Sequence, residues 1–205
     1  MLRKTMIAGI AFLMLSCGNE KKEENSSGGI SEAINNVSNL NKMAKSADKL
    51  EELSGKLKAM TPLTNDELKA VVPETLNGLK RKSFTAGGFA AVSGMSSIEA
   101  EYGDDVKTVK VSVMDGAGEA GSAIVSLMAM TLAMDTESES NGTKTKTAEV
   151  NGIRSVTEET KSESSVSSSI KYLYKDRYSI SLDGSGYSLS ELEGFMKSLN
   201  TSSLK

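Results

Sequence analysis

Short runs of alternating side chains dominate the chain from residue 106 onward. Val106 to Met114 sets Val109, Val111 and Val113 on one face, and Thr145 to Val150, Ile153 to Thr160, Val166 to Tyr174 and Tyr178 to Leu182 follow as further strand-like runs. A period of two commits each segment to a strand with one face buried. The connections Asn151-Gly152 and Lys175-Asp176-Arg177 are too short for anything but antiparallel hairpins. Leu76 to Phe84 and Met95 to Tyr102 read as strands ahead of this series. Between the two groups, Gly116 to Met134 changes period, with Ile124, Leu127, Met128, Thr131 and Leu132 spaced for a helix face. A last helix is expected from Leu189 to Leu199, capped by Ser188, and a short one after Thr64-Asn65-Asp66-Glu67, where Thr64 and Glu67 form a capping box and Val72-Pro73 ends it. The hydrophilic stretch Ser138 to Thr147 reads as a loop or hairpin tip. The expected fold is α+β: an antiparallel sheet of six to seven strands with helices on one face, preceded by an N-terminal amphipathic helix.

Such a sheet must hold by its core alone. Cys17 is the single cysteine, which excludes an intrachain disulfide, and there is no histidine. The usual general base and the commonest zinc ligand are therefore missing, and no metal or cofactor is expected. The formal charge is -3. Loss of residues 1–16 would remove Arg3 and Lys4 and no acid, leaving about -5, a poor basis for nucleic-acid binding. The densest basic cluster, Lys80-Arg81-Lys82, reads as a solvated strand edge that resists edge-to-edge pairing. Asp115-Gly116-Ala117-Gly118 lies between a strand and a helix but lacks the Gly-Lys-Ser/Thr ending of a phosphate loop, so it reads as a turn. Asp104-Asp105 lacks the alternating oxygen ligands of a calcium loop, and Asp176-Arg177 reads as a surface ion pair or turn contact.

The first sixty residues have a different character. Ile30, Ile34, Val37, Leu40, Met43, Leu50, Leu53, Leu57 and Met60 recur at steps of three and four, an amphipathic helical segment over 30–62 that ends before Pro62. Leu50, Leu53 and Leu57 are its candidate packing or partner face. Four heptads are short for a coiled coil, which favours a monomer over a homo-oligomer. Gly18 to Gly29 contains no apolar residue and reads, with Cys17, as a flexible tether. Ahead of it stand a basic start (Arg3, Lys4), an apolar run from Met6 to Leu15 too short to span a bilayer, and Ser16-Cys17. This arrangement resembles a bacterial lipoprotein signal. The resemblance implies cleavage after Ser16, a diacylglyceryl group on the Cys17 thiol, and attachment to the outer membrane of a bacterial envelope, at its periplasmic face or at the cell surface. Glu20, Glu23 and Glu24 resemble the acidic surface-export stretch of Bacteroidota lipoproteins. The domain boundaries are then signal peptide 1–16, lipidated cysteine and tether 17–29, helical segment 30–62, α+β domain 63–200 and flexible tail 201–205.

The α+β region carries a resemblance of its own. Leu68-x-x-x-x-Pro73-x-x-Leu76-x-Gly78-Leu79-Lys80-Arg81, Ala100-x-Tyr102-Gly103, Val111-x-Val113-x-Asp115, Val150-x-Gly152 and Asp176-Arg177-Tyr178 together resemble a group of uncharacterised exported bacterial proteins over about residues 64–199. The layout is also similar to small PsbP-like domains, which implies an accessory or binding role, though fold does not imply function. The leading expectation is a membrane-anchored envelope lipoprotein that acts as a non-catalytic binding or accessory module, with an envelope protein as a possible partner. A carrier of an apolar ligand is the alternative, because Met128, Met130 and Met134 supply an adaptable apolar lining. A hydrolase comes third, since no nucleophile elbow or acid pair is recognisable. The anchor has a direct test. Labelled palmitate is expected to enter the wild-type chain and to be absent from Cys17→Ser, and label retained by the variant would refute the assignment.

Overall fold

The computed structural model describes residues 47–87 and 94–205. Cys17, the signal, the tether and the helical segment up to residue 46 lie outside the described residues. A helix over residues 47–58 (α1) is followed by α2 (Asn65–Lys69), β1 (Thr75–Leu76), β2 (Leu79–Ala86), β3 (Ser97–Gly103), β4 (Thr108–Asp115), α3 (Gly118–Ala133), β5 (Glu137–Ser140), β6 (Thr143–Val150), β7 (Ile153–Lys161), β8 (Val166–Tyr174), β9 (Tyr178–Ser185), α4 (Leu189–Ser198) and a 3-10 turn at Thr201–Ser203. All nine strands join one antiparallel sheet in the order β1-β2-β3-β4-β9-β8-β7-β6-β5. Two meanders, β1 to β4 and β5 to β9, thus meet where the last strand pairs with the fourth.

Alternation decides which side chains fill the core. Ala100, Val111, Leu182 and Ile170 lie opposite one another across four adjacent strands, and all are fully buried. Tyr102, Val109, Val113, Ile180 and Tyr172 extend the same face. It is closed by Leu68 of α2, by Leu192, Phe195 and Met196 of α4, and by Leu204. Both covering helices begin as their sequences dictate. Thr64 and Glu67, then Ser188 and Glu191, form complete capping boxes.

Several expectations are corrected. The sheet has nine strands rather than six to seven, because two polar or interrupted segments each hold a hairpin. Leu76 to Phe84 is not one strand: Asn77-Gly78, with φ of 47° and 86°, turns the chain between β1 and β2. Ser138 to Thr147 forms most of the β5–β6 hairpin around Asn141-Gly142. Its residues carry no apolar alternation because β5 is exposed throughout. The helices do not share one face. Val125 and Leu132 of α3 are buried but stand outside the main core. Arg154, next in sequence to the core-facing Ser155, points to the opposite side and donates from Nε to the Leu132 carbonyl at 2.6 Å. Helix α3 therefore lies on the second sheet face, over the β7–β9 side. Residues 201–205 are no flexible tail either: Leu204 is 1% exposed, and Lys175 and the Tyr178 hydroxyl donate to the carbonyls of Leu204 and Lys205.

Close approach at the start of α3 uses glycine. A Cβ on Gly121 would stand 2.6 Å from the Asp115 carbonyl oxygen, within backbone that has no room to shift. A Cβ on Gly194 of α4 would meet nothing nearer than Asn77 Nδ2 at 3.8 Å. Helix propensity alone favours alanine at both sites by roughly 1 kcal/mol. Gly194→Ala is thus expected to raise stability, whereas Gly121→Ala lowers it by about 1–3 kcal/mol through overpacking. Denaturant melts of the two variants check the opposite signs, and a stabilised Gly121→Ala would overturn this account of the α3 contact.

Candidate functional site

The densest polar constellation surrounds Asp115. Its carboxylate is fully buried and accepts from Leu63 N (2.7 Å), Ala117 N (3.0 Å), Arg177 Nε (2.7 Å) and Arg177 Nη2 (2.8 Å). Arg177 also donates to the Thr61 carbonyl, and the ion pair raises its pKa further. The sequence pattern pairs Arg177 with its neighbour Asp176, but the partner is a residue 62 positions away. The expected turn at Asp115-Gly116-Ala117-Gly118 is present, and the amide of the N-cap residue Ala117 is occupied by the chain's own carboxylate. All four hydrogen bonds to this carboxylate come from the chain's own groups, so the cluster fastens the fold.

The other acidic and basic positions resolve into local contacts. Asp104 accepts from the backbone amides of Val106 and Lys107, both at 2.8 Å, which lowers its pKa, and Asp105 pairs with Lys82. Of the basic run, Lys80 is solvated, Arg81 donates to the Val72 carbonyl and covers the Phe84 ring, and Lys82 turns to Asp105. They do not form a common patch. Among the described residues no group of three acidic or cysteine side chains is placed to hold a metal. The carboxylates with a resolved shift, Glu67, Asp104, Glu159 and Glu191, are all lowered by hydrogen bonds.

Open grooves and one apolar surface stand out among the described residues. A cleft of about 250 Å³ on the second sheet face is lined largely by hydroxyls and a carboxylate, including Thr85, Glu99, Ser112 and Ser181. A wider groove of about 530 Å³ separates α1 from the β8–β9 turn, with Leu53, Leu57 and Met60 on its floor and Lys49, Lys56 and Lys175 among its rim residues. Of the candidate face on this helix, Leu57 is 1% exposed, while Leu50 and Leu53 are half-buried, so the stripe docks on the domain through its C-terminal end. The surface is α3. No charged residue occurs between Glu119 and Asp135, Leu127 is 61% exposed, and Ile124, Met128 and Met130 are partly exposed. The methionines read as a ligand lining flank this outward ridge rather than enclosing a cavity. Sequence pattern alone could not orient α3, because a helix apolar all round offers no polar face to assign to solvent.

The capping glutamates give the fold a pH dependence. The Thr64 amide and hydroxyl, with Lys205, lower Glu67, and the Ser188 amide and hydroxyl, with Lys107, lower Glu191. A carboxyl lowered in the folded state stabilises above its unfolded pKa, and that contribution disappears as pH falls through the folded value. Replacing both by Gln keeps a capping side chain but removes the titration. Glu67→Gln/Glu191→Gln is expected to lower the neutral-pH thermal midpoint modestly and to flatten its loss below the ordinary glutamate range, so that variant and wild type converge in acid. An unchanged acid limb would refute the assignment. Compared with family models, curated proteins and solved structures, the chain matches none.

Proposed function

We propose that this chain is an exported lipoprotein, held at the outer membrane through Cys17, whose α+β domain serves as a non-catalytic binding module. The observation that carries the reading is the uncharged outward ridge of α3 centred on Leu127, which is exposed where an ordinary surface helix would be polar. The cleft beside Thr85 is open and rich in hydroxyls, which supports a surface binder over a carrier, since a carrier needs an enclosed apolar cavity.

Photo-cross-linking tests the proposal in the intact envelope. A photoreactive residue in place of Leu127 is expected to give discrete protein adducts, and one in place of Thr85 none. Co-purification of a stoichiometric lipid, detected by native mass spectrometry, together with silence at position 127, would replace the module by the carrier.

A further inference from the structure

The geometry points to the cleft beside Thr85 as a binding site for one neutral, polyhydroxylated ring, a saccharide unit. None of its lining residues belongs to α3, so the site stands whether or not that helix binds a protein. Strand register builds it. Thr85, Glu99, Ser112 and Ser181 lie directly opposite one another on β2, β3, β4 and β9, and Ser97, Met114 and Ser179 form the next row. Neighbouring strands are about 4.8 Å apart, so a ring laid across them meets a polar group at nearly every step. Ser97 is the member that calls for a ligand. It is 5% exposed, its neighbour Ile98 faces the core, and its own hydroxyl, on the opposite face and lining the cleft, has no hydrogen-bond partner among the described residues. Buried hydroxyls are rarely left so, because the unmade bond is costly. The half-buried hydroxyls of Ser112 and Ser179 on the same floor are without partners among the described residues too.

Charge and shape select the ligand class. Glu99, the one carboxylate of the lining, pairs with Lys110 at 2.9 Å, and Lys110 stands in register between Glu101 and Asp183. An anion would therefore meet three acids around a single cation already engaged, and an amine would have to displace that cation. A neutral hydroxyl meets neither obstacle: the second oxygen of Glu99 accepts from it in a charge-assisted bond while the first keeps Lys110. Serine and threonine both donate and accept, which matches ring hydroxyls in either role. Met114 offers an apolar contact to the C–H face of such a ring. The cleft of about 250 Å³ is smaller than the roughly 300–1,000 Å³ of drug-sized sites, which limits the occupant to one ring. With no aromatic side chain in the lining to stack on, an affinity of roughly millimolar is expected.

Saturation-transfer NMR on the full-length Cys17→Ser chain tests the site, with methyl glucoside, methyl galactoside, methyl mannoside and N-acetylglucosamine as probes. At least one is expected to bind, and Ser97→Ala should weaken it by about two- to tenfold and Glu99→Gln by about tenfold or more. Both variants should keep a thermal midpoint near that of the wild type, since the Ser97 hydroxyl has no partner to lose and the Glu99–Lys110 pair is half exposed. Ser167→Ala, on the same sheet face but outside the cleft, should leave binding unchanged. A disaccharide ending in the bound unit separates two sources: binding as tight as that of the monomer supports the site as a reader of glycan ends, and binding of the monomer alone supports it as a site for free sugar. Saturation transfer from none of the four probes overturns the inference, as does undiminished binding by Ser97→Ala or tighter binding of glucuronate than of methyl glucoside. None of these outcomes bears on cross-linking at position 127, so the saccharide site and the protein-binding ridge fail separately.

Discussion

One buried ion pair gathers the parts of this molecule that the chain keeps far apart. Asp115 terminates β4, and its carboxylate holds Leu63 ahead of α2, Ala117 at the start of α3 and Arg177 at the entry to β9. The two meanders meet along β4 and β9, so the pair sits at one end of the seam that makes them a single sheet. It also fixes the departure of α3 toward the second face. A buried carboxylate is costly unless all its lone pairs are used, and here a bidentate guanidinium and two amides use them. Removing one partner strands the other charge, which typically costs about 3–5 kcal/mol, a large share of the stability of a domain this size.

With that end fixed, the sheet faces two different solvents. Its first face is a hydrocarbon core, and its second is mostly hydroxyl. The register places Thr108, Ser185, Ser167, Thr160, Thr143 and Ser140 in one row across six adjacent strands. Thr favours strands for its branched Cβ while its hydroxyl suits water, so an antiparallel sheet can expose such a face without an apolar patch. Helix α3 covers only part of it. An apolar helix resting on a polar sheet buries one side through Val125 and Leu132 and leaves the other without a partner among the described residues.

These contrasts explain what could be read from the residues and what could not. Val109, Val111 and Val113 disclosed a half-buried strand because one face of β4 is core and the other is not. Asn151-Gly152 marked a hairpin because only residues at ease with positive φ make that turn cheaply. Thr64 and Ser188 marked helix starts through local hydrogen bonds. Local signals failed where the determinant was distant. The strand β5 has no apolar residue and is held by backbone pairing and by lysines on β6, so alternation could not reveal it. Leu204 lies in a polar C-terminal stretch, and only the tertiary contacts of Lys175 and Tyr178 show why it is buried. For the candidate surface, the residues of α3 were legible as helix but not as exposed, because exposure depends on the polar sheet beneath it.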